Sequence, residues 1–398
     1  MSAKIHNVWL QAIYDVVHQV FHKNVMADKA LERCFKLRPK FGSKDRAFVA
    51  EYSYDIIRHY RRLAWILDQP YEHFDLEIEA VVDILYFEKN GTFVKESSSS
   101  VLEEKIKNSH QESAMGFSLP DWLFEHYQAS LQDKNITELK VMNSVAPVYI
   151  RVNTLKTTRE DLLQIIQDGL ADNARLIGDF GITFDKKQSI FTWDIFKQGL
   201  FEMQDIGSQM IAPALEVAPG MRVVDACAGA GGKTLHLACL MGGKGQIIAL
   251  DVEGYKLDIL KTRAKRAQIF NVETRTIDTT KTIKRLHNSA DRLLLDVPCS
   301  GSGVLRRNPD AKWKIKPERI TELVEIQAEI LEHYPKMLKI GGIMVYATCS
   351  LFHEENEAQI DRFLEKYSEK FKLLDMKTIY PSEHNSDGFF IAKLTRYA

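Results

Sequence analysis

The sequence predicts an α/β protein: a doubly wound parallel sheet in its second half, preceded by a small α+β module and a helical N-terminal third. Three observations carry this prediction. Short apolar runs alternate with helical stretches from Met221 onward, apolar residues recur at helical spacing before Leu67, and brief strand-like runs lie between Val148 and Phe191.

The helical third rests on Val8, Ile13, Val16, Val17 and Val20, and again on the apolar positions between Ala47 and Leu67. A basic segment holding Arg33, Lys36, Arg38, Lys40, Lys44 and Arg46 joins the two. Arg58, Arg61 and Arg62 stand at i, i+3 and i+4, so three cations share one helical face. Such a face is ordinarily solvated; opposite a polyanion it becomes a phosphate-contacting surface. Asn90 to Leu119, with Ser97 to Ser100 and few aromatics, reads as a linker or mobile loop, flexible near residues 90–118. Pro120-Asp121-Trp122-Leu123 opens another helix with a proline near its first turn.

The α+β module takes strands at Val148–Val152, Gly181–Phe184 and Ser189–Phe191, with a helix over Arg159–Gln167. In the sheet domain the strands are Arg222–Cys227, Gln246–Asp251, Glu273–Ile277, Arg292–Val297 and Ile343–Thr348. The helices are Lys233–Met241, Tyr255–Ala267, Pro317–Leu338 and Glu354–Tyr367, and a strand pair near Leu373–Met376 and Phe389–Lys393 completes the sheet. Helices on both faces account for the nearly continuous apolar character of these strands. Domains are expected at residues 1–135, 136–205 and 206–398, with no internal repeat.

Composition narrows the class. The 398 residues, 45% hydrophobic and 27% charged, are those of a soluble globular protein of two or three domains. No apolar run approaches the roughly 20 residues that span a bilayer, and Met1 to Leu10 lacks a signal peptide's apolar centre. Five cysteines without close metal-type spacing argue for reduced thiols in a cytosol and for no metal site. A net charge of -1 means that any polyanion must be gripped by local patches.

The loop Cys227-Ala228-Gly229-Ala230-Gly231-Gly232-Lys233-Thr234 follows the strand ending at Asp225. A Walker phosphate loop would need glycine at Cys227, and a dinucleotide fingerprint from Gly229 would need one at Thr234. Both fit poorly. What remains is a strand, a glycine turn and a helix start, whose N–H groups suit a carboxylate. Asp251 ends the next strand, placed to accept a ribose diol, and Asp278 ends the third, where an adenine amino group would lie. A nucleoside with an amino-acid tail and no phosphate fits this set, which points to S-adenosylmethionine. One strand-end acid is commonly a cap. Asp225, Asp251, Asp278 and Asp296 at successive strand ends make capping the weaker account.

Two Cys-Ser pairs close strands on the same rim, Pro298-Cys299-Ser300-Gly301 and Thr348-Cys349-Ser350. Ligands bind at that edge of an open α/β sheet, so the pairing suggests covalent catalysis beside a bound cofactor. Cys34 and Cys239 read as small buried hydrophobes, and Cys227 as a shaper of the loop. Arg306, Arg307, Lys312, Lys314 and Lys316 around Trp313 mix cations with an aromatic, which suits phosphate pairing and base stacking; an ordinary loop with Trp313 packed beneath it is the bland alternative.

These motifs, with Arg151-Val152-Asn153-Thr154-Leu155-Lys156, Gln204-Asp205-Ile206-Gly207-Ser208-Gln209, Tyr346-Ala347-Thr348 and Phe389 to Leu394, resemble the Sun-type RNA cytosine-5 methyltransferases. The likeness is greatest to their bacterial 16S rRNA branch of RsmB type, and the stretch around Asp45-Arg46-Ala47-Phe48 is similar to that branch's NusB-like RNA-binding domain. The family's cofactor loop usually has Ala-Pro where Gly229-Ala230 stands here, a loss that leaves the loop less pre-set.

The resemblance implies an S-adenosylmethionine-dependent Rossmann-like domain behind an RRM-like module. It implies Cys349 as nucleophile, Cys299 as the residue promoting breakdown of the adduct, and Asp296 and Lys233 beside them. It implies Cys227 to Lys233, Asp251, Asp278 and Asp296 as the cofactor site, and Arg151, Asn153, Arg306, Arg307, Lys312 and Trp313 as RNA contacts. The expected protein is a monomeric cytosolic enzyme making 5-methylcytosine in ribosomal RNA or the small subunit, without a membrane partner. The same chemistry on transfer RNA is the alternative, as is a ribosome-assembly factor that binds without turnover. DNA cytosine methyltransferases use a Pro-Cys nucleophile, which would transfer the role to Cys299.

Overall fold

A computed structural model describes residues 5–94, 100–185 and 188–398. The chain forms two compact units, and the first is discontinuous: it runs through Ser144 and takes back Leu305–Ile315. Contiguous domains were the sequence expectation, and the segment read as a basic surface loop of the sheet domain instead belongs to the helical unit. The helical unit also extends past residue 135, because Asn135–Met142 is a helix that buries Leu139 and Met142.

Its helices are Asn7–His22, Ala27–Leu37, Ser43–Ile66, Ile78–Asn90, Ser100–Asn108, Asp121–Leu131 and Asn135–Met142. Val16, Val20, Ile56, Tyr60, Leu63 and Val81 build the core. The expected flexible stretch is partly helix: Leu102 and Ile106, one turn apart, pack on that core, while Ser97 to Ser99 lie outside the described residues. The three-cation face is no phosphate surface. Arg58 is buried and donates to the Arg306 carbonyl at 2.9 Å, Arg62 forks onto Glu88, and Arg61 donates to the Leu119 carbonyl and Asp121.

In the second unit a four-stranded antiparallel sheet comes first, built from β1 (Tyr149–Val152), β2 (Ala174–Ile177), β3 (Gly181–Phe184) and β4 (Phe201–Met203) in the order β2-β3-β1-β4. The candidate strand Ser189–Phe191 is instead a 3₁₀ turn over Ile190–Thr192, with Ile190 and Trp193 buried beneath it.

The seven-stranded sheet follows: β5 (Arg222–Asp225), β6 (Gln246–Asp251), β7 (Val272–Thr276), β8 (Ala290–Asp296), β9 (Leu338–Thr348), β10 (Phe371–Ile379) and β11 (Phe389–Arg396), ordered β10-β11-β9-β8-β5-β6-β7. β7, β6, β5, β8 and β9 run parallel, whereas β11 pairs antiparallel with both β9 and β10, so the sheet is mixed at one edge. From β5 the chain builds outward through β6 and β7, then returns to place β8 and β9 on the other side. That reversal puts the topological switch point between β5 and β8, where the carboxyl ends of strands open a crevice.

Candidate active site

Every expected catalytic side chain comes to this crevice. Register explains why: Asp296 of β8 pairs with Ala347 of β9, and the Val297 N–H bonds the Ala347 carbonyl at 3.0 Å. The two loops that follow therefore leave the sheet side by side. The sulfurs of Cys299 and Cys349 lie 3.3 Å apart, and the Cys349 N–H points at the Cys299 sulfur at the same distance. The hydrogen bond to Cys349, then burial, then the charge of Glu355 push the Cys299 thiol well up. Lys233 Nζ donates to Asp296 Oδ2 at 2.7 Å. Burial works against the Lys233 ammonium, but Asp296, with Cys349 and Asp225 behind it, outweighs burial and raises its pKa.

Beside this cluster lies a cavity of about 440 Å³, with Asp251, Glu253, Lys256 and Asp296 on its polar wall and Val252, Ile277, Pro298 and Ile330 on its apolar one. Asp251 Oδ2 accepts from the Gly229 N–H and Oδ1 from the Glu253 N–H, both at 2.8 Å, so the carboxylate is held at the cavity edge. Gly229 has φ +53°, and a Cβ there would meet open space. Cys227 faces the same cavity, and burial, then Asp225, Asp296 and Asp251, hold it as a thiol. Lys256, the one lysine in the lining, pairs with Glu253. A slot with an apolar wall, a fixed carboxylate and no cluster of free cations fits a nucleoside lacking phosphate. Asp278 ends in solvent: Ile277 and Thr280 line the cavity and Asp278 does not.

Two arginines pin the cofactor loop from behind. Arg151 on β1 is buried, donates to the Gly232 carbonyl at 2.6 Å and to Gln204, and is lowered by burial to about 10, still a cation at neutral pH. Arg263 donates to the Ala230 carbonyl at 2.8 Å and is held in turn by Glu202 on β4. Asn153 bonds the Gly199 and Ala267 carbonyls, each at 2.9 Å. Arg151 thus supports the cofactor loop while Asn153 ties the turn before β4 to the end of the helix at Ala267, and as buried groups they offer RNA no surface.

The expected contacts at the other motif change in the same way. Lys312 is buried, pairs with no carboxylate among the described residues and donates to the Arg58 and Phe117 carbonyls at 2.6 and 3.3 Å, and burial lowers its pKa strongly. Trp313 donates to the Ile57 carbonyl at 2.7 Å and its ring sits among Phe21, Tyr60, Tyr71 and Phe74. Arg306 is buried, bonding Ser144 at 3.1 Å, while Arg307 is half-buried. Sequence reasoning missed the Glu202–Arg263 support and Glu355, although an acid six residues past Cys349 was a visible signal.

Parallel sheet, switch-point cavity and glycine loop together define an S-adenosylmethionine-dependent methyltransferase. A family model described as 16S rRNA methyltransferase RsmB/F matches residues 212–395, and one described as an RsmF/B-like methyltransferase ferredoxin-like domain matches residues 119–190. The chain belongs to the RsmB/F family, of Sun type, whose reaction is RNA methylation with S-adenosylmethionine. The probable ribosomal RNA small subunit methyltransferase B of Synechocystis sp. is 29% identical over 448 residues, covering 97% of this chain and 99% of that one. A solved methyltransferase homologue from Pyrococcus horikoshii is 28% identical with a TM-score of 0.62, covering 76% and 100%. NSun6 from Pyrococcus horikoshii, solved with SFG, an S-adenosylmethionine analogue, shares the fold at 23% identity and TM-score 0.63, covering 70% and 98%. Among the described residues no helix is long and apolar enough to cross a membrane.

Proposed function

We propose that this enzyme methylates carbon 5 of a cytosine in small-subunit ribosomal RNA, with Cys349 as nucleophile and Cys299 as the residue that promotes breakdown of the adduct. The observation that carries the reading is the thiol pair, 3.3 Å apart at adjoining strand ends, beside the Lys233–Asp296 ion pair and the donor cavity. A cytosine ring needs one thiolate as nucleophile, and the second thiol is assigned to breakdown of the adduct. The ring's carbon 5 is a poor nucleophile until a thiolate adds to carbon 6, splitting one hard step into easier ones. Bound S-adenosylmethionine supplies the electrophilic methyl group.

Cys349 makes and later breaks the bond to carbon 6. Once carbon 5 carries its new substituent, its proton passes to water with Cys299 assisting, the electron pair of that C–H bond re-forms the carbon 5–carbon 6 double bond, and the Cys349 thiolate is expelled. In this reading Asp296, held by Lys233 at 2.7 Å, accepts a hydrogen bond from the exocyclic amine. Cavity edge residues Asp251 and Gly229 hold the donor's nucleoside part. The target base must leave its stack to reach the thiols.

The test is chemical. Protein, methyl-labelled donor and ribosomal RNA, free or in the small subunit, are incubated and the RNA is digested to nucleosides. Label is expected in 5-methylcytidine; label in another nucleoside, or none in either RNA form, contradicts the reading.

A further inference from the structure

Arg151, Arg306 and Lys312 are buried, yet a chain of net charge -1 must still grip RNA through local patches. The sheet unit carries such a patch far from the thiols. Thr280 to Ser289 contains no acid, and its Lys281, Lys284, Arg285 and His287 are exposed while Ile283 and Leu286 between them are buried. Hydrogen bonds bring further cations to this stretch. The Asn288 and Ser289 N–H groups donate to the Lys336 and Met337 carbonyls, each at 2.9 Å, which sets the 3₁₀ turn Tyr334–Met337 beside His287. Arg396, at the end of β11, donates to the Asn288 side chain and to the Leu338 carbonyl, both at 2.6 Å. Lys336, Lys370 and Arg396 line one cavity of about 70 Å³ together with Tyr367 and Phe371. Burial, then the charges of Lys336, Lys284 and Arg396, lower the His287 pKa, as expected where cations face one another. Asp291 and Glu332, which border the cluster, are engaged by Lys339 at 2.6 Å and by Lys366 at 2.7 Å. Among the described residues no carboxylate pairs with Lys281, Lys284, Arg285, Lys336 or Lys370.

We infer that this cluster is a second RNA-binding surface, which takes the phosphate backbone of a long folded RNA beyond the hairpin that holds the target base. The inference rests on the RNA-methylating reaction of the family and not on the cytosine reading. A run of surface lysines is ordinarily just solvated. Here the cations converge from separate stretches of chain, around residues 281–287, 336, 370 and 396, while the bordering acids are already engaged. Like charges held together in this way are relieved by a polyanion, whose phosphates release condensed counterions on binding. The position of the cluster fixes the length of RNA it requires. Ala290 and Leu338, paired at the start of β8 and β9, border it, whereas the thiols follow the far ends of the same strands. β8 from Ala290 to Asp296 spans about 20 Å, so an RNA that touches both rims must extend well past the target base.

The test reads binding rather than methyl transfer, so its failure is separable from failure of the cytosine reading. Full-length protein is titrated across a salt series with small-subunit ribosomal RNA and with short hairpins cut from it. Wild type is compared with a triple variant, Lys284→Gln, Arg285→Gln and Lys336→Gln, and with a charge-keeping one, Lys284→Arg, Arg285→Lys and Lys336→Arg. The neutralised variant should bind the long RNA about tenfold more weakly, with the slope of log affinity against log salt shallower by about 2. Its binding to the hairpins should match wild type, and the charge-keeping variant should match wild type on both. An unchanged slope on the long RNA overturns the inference. Equal losses on the hairpins overturn it too, since the substitutions would then act through the fold or the overall charge. Phosphatidylglycerol vesicles serve as a rival polyanion: vesicle binding lost in the neutralised variant, with RNA binding intact, would overturn the inference in favour of a membrane partner.

Discussion

Asp225 shows how much one buried side chain can decide. It closes β5 from full burial, with Thr234 donating to one carboxylate oxygen at 2.7 Å. Burial, reinforced by Asp296 against the Thr234 bond, raises its carboxyl from 3.8 to about 7. The folded protein then keeps a proton that the unfolded chain has already lost between those values. The resulting stability is whole below the ordinary carboxyl range and is lost as pH rises through about 7, a change of about 4 kcal/mol at most. Donor-free thermal unfolding of wild type and Asp225→Asn should therefore diverge in the variant's favour as pH rises from about 5 to about 8. A constant difference would contradict this. At this scale Asp225, Asp251, Asp296 and both thiols were legible in the sequence, whereas Asp278 was not, since β7 ends at Thr276 and leaves it exposed. The fate of Arg151, Lys312 and Trp313 was not, because spacing shows which cations are close in the chain but not which become buried among carbonyls.

Among the elements, the cofactor loop carries a sharp contrast. Gly231 has φ +85°, and a Cβ there would lie 2.5 Å from Leu260 Cγ on the helix Gly254–Ala267, whereas Gly229 at φ +53° faces open space. Gly231→Ala combines left-handed strain with overpacking, together about 2–5 kcal/mol. Gly229→Ala bears the strain alone, about 1–2 kcal/mol. Melting curves should rank the two variants in that order; equal losses would show that the Leu260 contact does not matter. The parallel strands and their helices were readable because burial on both faces leaves long apolar runs. β2 and β4, only four and three residues long, carry no such pattern. Ser100–Asn108 hid for the same reason, since its inward face amounts to Leu102 and Ile106.

For the whole molecule, the chain's course matters more than its composition. It leaves the sheet unit after Val304, gives Leu305–Ile315 to the helical unit and re-enters at Lys316, an excursion that no local signal announces. The strand order that makes the site was legible only in part: alternation predicts parallel strands, but the antiparallel β11 between β9 and β10 depends on long-range pairing. What that order achieves is the convergence of β5, β8 and β9 ends, which brings a donor cavity and two thiols to one crevice. The measurement that tests this most directly is adduct trapping. Wild type, Cys299→Ala and Cys349→Ala are each incubated with donor and RNA and run on denaturing gels. The account predicts a covalent protein–RNA band with Cys299→Ala and none with Cys349→Ala. A band with Cys349→Ala and none with Cys299→Ala would reverse the two roles and contradict it.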